Sequence, residues 1–151
     1  MTTTDAPPHD TAGGMADLAA RIRAWARELG FQSLGICGTD LSPHDERLRV
    51  SRYALGRDYH KLMRARLARL ADRILAERPG SAQRVFVDSA PVLERGVAQK
   101  AGLGWIGKNT LLIDPRAGSW FFLGEIFTDI PLPVDAGFSG MHCGSCTACL
   151  E

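Results

Sequence analysis

The feature that most constrains this chain is a run of three cysteines near its C-terminal end. Cys143, Cys146 and Cys149 are separated by two residues each, and the fourth cysteine of the chain is Cys37. A disulfide framework would spread its cysteines along the chain, whereas C-x-x-C-x-x-C is metal-ligand spacing in a reducing compartment. The run supplies three of the four thiolates of a [4Fe–4S] cluster, with Cys37 as the one substitute for the fourth. The competing interpretation is tetrahedral zinc bound by the three cysteines and His142.

Length and composition confine the chain to one globular unit. Of its 151 residues, 45% are hydrophobic and 23% are charged, which excludes a disordered chain or a coiled-coil rod as the main description. A formal net charge of +1 gives no global attraction to nucleic acid or anionic membrane. Residues 1–14 predict a disordered leader, and they lack the pattern of a signal peptide. We expect a cytoplasmic monomer without a membrane partner.

Two segments have the periodicity of amphipathic helices. The first begins at Met15 and is ended by Gly30, and the second extends over residues 59–77. The other face of the second helix is basic, with the cations Lys61, Arg64, Arg66, Arg69 and Arg73, and Arg57 precedes it. Such a face is usually solvated, and its alternative role is a track for a polyanion such as RNA.

Short apolar segments between the helices predict strands, so the fold class is α+β. We expect strands at residues 31–38, 84–88, 110–113 and 119–130, and a further helix at residues 89–100. The last two strands are joined by a turn at residues 114–118 and should form a hairpin. Its aromatic residues are predicted to lie in the core: Trp120, Phe121 and Phe122.

Two features besides the cysteines are candidates for chemistry. Asp88 ends a predicted strand, where ligand crevices form in sheets covered by helices, although an acid there also suits a helix cap. The glycines of residues 102–107 let the backbone approach a ligand closely, and Lys108 and Asn109 add donors. Their spacing matches neither a Walker nor a Rossmann fingerprint.

Four blocks, in this order, resemble the epoxyqueuosine reductase family. They are RYALGRDYHK at 52–61, VDSAPVLER at 87–95, GLGWIGKNT at 102–110 and CGSCTAC at 143–149. The resemblance covers all of the chain except the leader. It implies a nitroreductase-like cobalamin-binding domain over residues 15–133. The start of a ferredoxin-like [4Fe–4S] segment would follow at residues 134–151.

The resemblance also implies a function. Family members are cobalamin-dependent iron–sulfur reductases that remove the epoxide oxygen of epoxyqueuosine in the tRNA anticodon, using an external electron donor. Asp88 matches the family's acid and becomes the predicted general acid, since a carboxyl group with a pKa raised by burial suits this step. The predicted cobalamin contacts are Tyr59, Gly107, Lys108, Asn109 and Leu112, and the predicted cluster ligands are Cys143, Cys146 and Cys149.

Two departures from the family pattern leave alternatives open. Residues 39–51 replace a longer family segment, and the remaining cysteines of the ferredoxin-like segment are absent, which should impair electron delivery. The chain is then a shortened epoxyqueuosine reductase, a small zinc- or iron–sulfur-binding module with RNA as partner, or an inactive fragment. A corrinoid reductase acting on a halogenated compound is a further alternative, but the DSAP and GWIGKN blocks favour the tRNA enzyme.

Overall fold

The computed structural model describes residues 12–38, 58–88 and 92–150. Within these ranges the fold is mixed α and β, and every helix is too short or too polar to span a bilayer. The elements in chain order are α1 (Ala12–Glu28), α2 (Tyr59–Glu77), β1 (Gln83–Phe86), α3 (Glu94–Lys100), β2 (Trp105–Ile106), β3 (Leu112–Ile113) and β4 (Glu125–Thr128).

The hydrophobic core lies between α1 and α2. Apolar residues of both helices share one buried cluster: Leu18, Ile22, Ala26, Leu29, Leu70 and Ile74. Burying one Leu or Ile side chain stabilises a fold by roughly 1.5–3 kcal/mol. Both helices therefore bury an apolar face, as their periodicity predicts, whereas Leu75 of α2 is 44% exposed. The second helix has its predicted bounds, and α1 begins at Ala12, so the last three residues assigned to the leader are helical.

A two-stranded antiparallel sheet packs against α2. In this sheet β1 pairs with β4, so that Gln83 lies opposite Thr128 and Phe86 lies opposite Glu125. The predicted hairpin between residues 110–113 and 119–130 is wrong, because β3 pairs with β2 instead. Asp114 and Gly118 close the turn through mutual backbone hydrogen bonds, after which the chain leaves β3. The register places Glu125 and the residues after Phe86 at the same end of the sheet.

Two further predicted segments differ from the structure. Residues 31–38 form no strand; Ile36 is held instead by Asp135, whose backbone N–H donates to the Ile36 carbonyl at 2.8 Å. A single such contact supplies no ladder, which explains the absence of a strand here. The predicted helix at 89–100 is described only from Glu94 to Lys100, and residues 89–91 lie outside the described ranges.

The predicted aromatic core of residues 120–122 is wrong. Trp120 is 94% exposed and Phe122 is 46% exposed. Aromatic residues favour strands, but they remain uncovered when no second layer packs on them. Trp120 and Phe122 therefore present aromatic surface to solvent, whereas Phe121 is half-buried.

The C-terminal segment is held onto the first helices. Asp135 accepts a hydrogen bond at 2.5 Å from the Arg23 guanidinium and one at 2.9 Å from the Ile36 N–H. Burial disfavours the charged form of this carboxyl, but the Arg23 and Ile36 hydrogen bonds and the Arg23 charge lower its pKa overall. The Phe138 N–H donates to the Gln99 carbonyl, which ties the segment to α3 as well.

Candidate active site

Asp88 lies two residues beyond the end of β1, and three elements converge on it. The Tyr59 hydroxyl, at the start of α2, donates a hydrogen bond to Asp88 Oδ2. His60 Nε2 is 3.5 Å from the same oxygen, and Glu94, at the start of α3, accepts the Asp88 N–H at 2.9 Å. The backbone of Asp88 has φ +50°, in the left-handed region that aspartate tolerates better than most non-glycine residues. The predicted burial is not observed, because Asp88 is exposed.

The first turn of α2 positions the two aromatic partners of Asp88. Asp58 caps this helix by accepting the His60 N–H at 3.1 Å, and it also contacts His60 Nδ1 at 2.8 Å. These contacts with His60 lower the pKa of Asp58. The Tyr59 ring stacks between His60, with centroids 4.1 Å apart, and Phe122, with centroids 3.9 Å apart. The stack fixes the direction of the Tyr59 hydroxyl toward Asp88.

Two glutamates that the sequence interpretation missed complete the site. Glu94 is in the first turn of α3, and Glu125 begins β4, across the sheet from Phe86. Burial and the nearby Asp88 carboxyl raise the pKa of Glu94 to about 7. Burial, followed by the charges of Glu94 and Asp88, raises the pKa of Glu125 to about 8. Glu94 stands inside the VDSAPVLER block, so its place was detectable, whereas Glu125 comes near only through the pairing of β1 with β4.

The glycine-rich segment makes internal contacts. A Cβ on Gly107 would lie 2.4 Å from Ile113 Cδ1, and one on Gly104 would lie 2.2 Å from the Ile113 carbonyl oxygen. The absence of side chains at Gly104 and Gly107 therefore lets β3 approach this segment closely. Leu112 is buried, and Asn109 Oδ1 accepts the Leu111 N–H at 3.1 Å. Of the predicted cobalamin contacts, Tyr59 alone reaches Asp88, and Gly107, Asn109 and Leu112 do not.

Lys108 connects the glycine-rich segment to the cysteine loop, defined as residues 143–149. Its ammonium donates to the carbonyls of Gly144 at 2.9 Å and Cys146 at 2.8 Å. The Lys108 backbone N–H and then the Trp105 side chain lower the pKa of Cys143. Lys108 is therefore placed to position this loop.

The described residues do not fit a complete metal centre at the cysteine loop. Cys146 and Cys149 are exposed, and no group of three or more His, Cys, Asp or Glu side chains converges as metal ligands within residues 12–38, 58–88 and 92–150. Cys37 is the predicted substitute for the fourth cluster ligand. Its thiol donates to the Val97 carbonyl on α3, and it joins no group of metal ligands among the described residues. The His142 ring packs on Trp105 with centroids 5.2 Å apart. The described residues therefore supply a complete ligand set neither for a [4Fe–4S] cluster nor for zinc.

A corrin is too large for the cavity lined by Glu94 and Glu125, so it would have to lie on the open surface beside Asp88. The cavity lined by Glu94 and Glu125 has a volume of about 220 Å³, whereas pockets for drug-sized ligands already measure roughly 300–1,000 Å³. Outside it, the half-exposed Phe122 ring extends the stack on Tyr59 and offers a flat apolar face. Phe122, whose ring stacks on Tyr59, is the described residue that would hold a flat macrocycle next to Asp88.

The similarity to known proteins agrees with this site. A family model described as Epoxyqueuosine reductase QueG, DUF1730, matches residues 37–89, which end just past Asp88. The epoxyqueuosine reductase of Pseudomonas aeruginosa is 42% identical over 195 residues, covering 90% of this chain and 54% of the relative. That of Escherichia coli is 38% identical over 192 residues, covering 88% of this chain and 50% of the relative.

The chain belongs to the epoxyqueuosine reductase family. It spans about half the length of the curated relatives it matches. In the P. aeruginosa comparison the alignment is 195 positions long, although 90% of this chain is only about 136 residues. The aligned stretch of the relative is therefore longer than that of this chain, which agrees with the shortening inferred at residues 39–51, outside the described ranges.

Solved structures of the family align with the described fold. A crystal structure of epoxyqueuosine reductase with an epoxyqueuosine-modified tRNA-Tyr stem loop has a TM-score of 0.58 and 37% identity, covering 63% of this chain and 25% of that one. A Bacillus subtilis structure has a TM-score of 0.57 and 35% identity, covering 63% of this chain and 24% of that one. In the latter, a loop with a catalytic aspartate is swung out of the active site.

Proposed function

We propose that this chain carries the proton-donating part of an epoxyqueuosine reductase site, which reduces epoxyqueuosine in a tRNA anticodon to queuosine. The observation that carries the proposal is the convergence of Tyr59, His60 and Glu94 on Asp88 at the edge of an open surface. A relative of the same family is solved with a modified tRNA stem loop, which supports this substrate class.

The proposed chemistry requires protons at the departing oxygen. Conversion of the epoxide to the alkene breaks two C–O bonds and releases the oxygen as water, with uptake of two electrons and two protons. Asp88 donates the first of these protons to the departing oxygen, and Tyr59 holds the Asp88 carboxyl toward the open surface. The second proton comes from solvent. Cobalamin, held against Phe122, would supply the reducing electrons when bound.

The wider assignments follow from the family and remain part of this proposal. They are a nitroreductase-like cofactor domain, the beginning of a ferredoxin-like segment, an external electron donor and a cytoplasmic location. We derive no step through an iron–sulfur cluster, because the cysteine loop lacks a convergent ligand set within the described residues.

The basic face of α2 is the proposed contact for tRNA phosphates. Lys61, Arg64 and Arg69 are exposed along this helix, whereas Arg73 is paired with Glu28 of α1 at 2.6 Å. Each phosphate contact that is lost should reduce the slope of log affinity against log salt by about 1. Lys61→Ala and Arg69→Ala should each produce this reduction, and Arg73→Ala should produce a smaller one.

An anaerobic titration of the purified chain with cobalamin, followed by absorbance, tests the site. We expect saturable binding with a changed cobalt spectrum, and a different spectrum for Asp88→Ala because Asp88 borders the cofactor face. Asp72→Ala is the matched control, since Asp72 is exposed on α2 about 20 Å from Tyr59 at 1.5 Å of rise per residue. An unchanged spectrum at every concentration would overturn cofactor binding and favour the inactive-fragment interpretation.

A turnover assay tests the reaction itself. The chain, reduced cobalamin and an epoxyqueuosine-modified stem loop are incubated, and loss of one oxygen from the nucleoside is followed by mass spectrometry. We expect Asp88→Asn to lower the rate by about 10²–10⁴-fold, the usual contribution of a general acid. An equal rate for Asp88→Asn and the native chain would exclude Asp88 as the donor.

A further inference from the structure

The carboxyl groups of Asp88 and Glu94 are neighbours. Glu94 accepts the Asp88 N–H at 2.9 Å, which places its carboxyl group beside the aspartate. Burial and the Asp88 charge raise the pKa of Glu94 to about 7, so the half-buried Glu94 keeps its proton at a pH where an ordinary glutamate has lost it. Two neighbouring carboxyl groups can share a hydrogen bond when one of them is protonated.

Glu125 adds a third carboxyl group on the inner side of this pair. The pairing of Phe86 with Glu125 sets it at the end of the sheet from which Asp88 emerges. Glu125 Oε2 is buried and has no hydrogen-bond partner among the residues that the structure describes. Glu94 and Glu125 line the same cavity, whose other walls are mostly apolar. A buried carboxylate without a partner is costly, which favours the protonated form of Glu125.

The charged groups around the three carboxyls do not neutralise them. Arg95 lowers the pKa of Glu94, but its guanidinium donates to the Thr110 carbonyl, and no described cation lowers the pKa of Glu125. Cys37 also lines the cavity, and burial raises the pKa of its thiol, so it adds no charge. On the outer side, Tyr59 and His60 contact Asp88.

We propose that Asp88, Glu94 and Glu125 form one proton-sharing unit, in which the two glutamates keep a proton within reach of Asp88 on the side away from solvent. The use of this unit rests on the proposed function. After Asp88 has given its proton to the departing oxygen, the Glu94 proton passes to the neighbouring Asp88 carboxyl group. Solvent then restores the proton on Glu94, so no electrons move and no further reactant is consumed.

Carboxyl titration in the full chain tests the unit without cofactor or substrate. The side-chain carboxyl carbons of ¹³C-labelled glutamate are followed by NMR between pH 4 and pH 10. We expect Glu94 to titrate near 7 and Glu125 near 8. The backbone amide of Asp88 should follow the Glu94 midpoint, because it donates to Glu94. Ordinary midpoints below pH 5 for both glutamates would overturn the proposal, and this result needs no variant.

Variants test whether the groups act as a unit. Glu94→Gln should lower the Glu125 midpoint by about one pH unit, since the Glu94 charge contributes to it. Asp88→Asn should lower both midpoints. Glu28→Gln, an exposed change on α1, is the control and should move neither. Raised but independent midpoints would refute the sharing. Because the chain contains no ligand in these measurements, failure of the cobalamin titration would leave this result unaffected.

Discussion

Asp88 and Cys143 are both predicted site residues, but their surroundings differ in kind. Asp88 is contacted by side chains from α2 and α3, and every one of these contacts is made by the chain itself. Cys143 receives the Lys108 N–H, while the other cysteines of its loop are exposed and converge on no common ligand position within the described residues. The acidic site is thus assembled by folding, whereas the cysteine loop would require a metal to bring its sulfurs together.

The two regions differ in whether their stabilising interactions are present in the folded chain without a ligand. In the acidic site, hydrogen bonds and carboxyl repulsion are already present in the folded chain, so substitutions and pH should change its stability. In the cysteine loop Cys146 and Cys149 are exposed, so their substitution should leave the fold nearly unchanged. The following predictions test this difference between the two regions, beginning with the largest expected effect.

The pH dependence of stability should arise mainly from Glu94 and Glu125. Their pKa values are raised in the folded chain, so between pH 4.5 and pH 8 the folded state binds more protons than the unfolded state. The free energy of unfolding should therefore be largest near pH 5 and fall as the pH rises through 8. We expect a loss of about 1–3 kcal/mol, reduced from the full linkage value because both side chains are partly solvated.

Urea denaturation at a series of pH values measures this loss. The double variant Glu94→Gln, Glu125→Gln should show a flatter profile between pH 5 and pH 8, since the glutamine side chains do not titrate. Glu28→Gln should retain the native profile. If the unfolding free energy of the double variant fell with pH as steeply as that of the native chain, other groups would cause the pH dependence. The acidic site would then not differ from the cysteine loop in this respect.

Tyr59→Phe should have the next largest effect. It removes the hydroxyl that donates to Asp88 but keeps the ring stacked between His60 and Phe122. Loss of such a hydrogen bond costs about 1 kcal/mol of unfolding free energy. The same change in an Asp88→Ala background should cost much less, because the acceptor is gone. Equal costs in the two backgrounds would show that the hydroxyl is not coupled to Asp88.

The parts of the fold that local sequence determines were predictable. The second helix has its predicted bounds, because an apolar stripe of Leu67, Leu70 and Ile74 is preceded by the capping residue Asp58. Strand pairing was not predictable in this way. Residues 119–130 have strand propensity, but the partner of β4 is β1, which lies about 40 residues earlier in the chain. Propensity identifies an extended segment and does not select its partner.

The same limit applies to the site. Asp88 could be proposed from its strand-end position and its sequence block, and Tyr59 from the family resemblance. Glu125 has no motif around it and joins the site only through its register opposite Phe86. Lys108 is a predicted cobalamin contact, and the structure adds hydrogen bonds from its ammonium to carbonyls of the cysteine loop. The sequence showed that a hydrogen-bond donor stands at position 108. The direction of the Lys108 side chain depends on how the glycine-rich segment packs on β3.

Lys108→Met should loosen the cysteine loop by a smaller amount. The substitution keeps an apolar side chain of similar length but removes the hydrogen bonds to the Gly144 and Cys146 carbonyls. Because these bonds are exposed, we expect a loss of about 0.5–1 kcal/mol, confined to the loop. Hydrogen exchange should become a few-fold faster at residues 144–150 and stay unchanged in α2. Lys61→Met on α2 is the control, and unaltered exchange in the loop would contradict the positioning role.

Substitution of the exposed cysteines should have the smallest effect. Cys146→Ser and Cys149→Ser replace solvent-facing thiols by hydroxyls of similar size, so the unfolding free energy should change by less than about 0.5 kcal/mol. Metal-free protein in a reducing, chelator-containing buffer is required, since a bound metal would contribute its own folding energy. Repeating the measurement with added Zn²⁺ or Fe²⁺ sharpens the result. A gain in unfolding free energy that depends on both cysteines would mean that the metal is bound by both thiolates. Two exposed thiols in a reducing buffer act together only when they are ligands of the same metal ion.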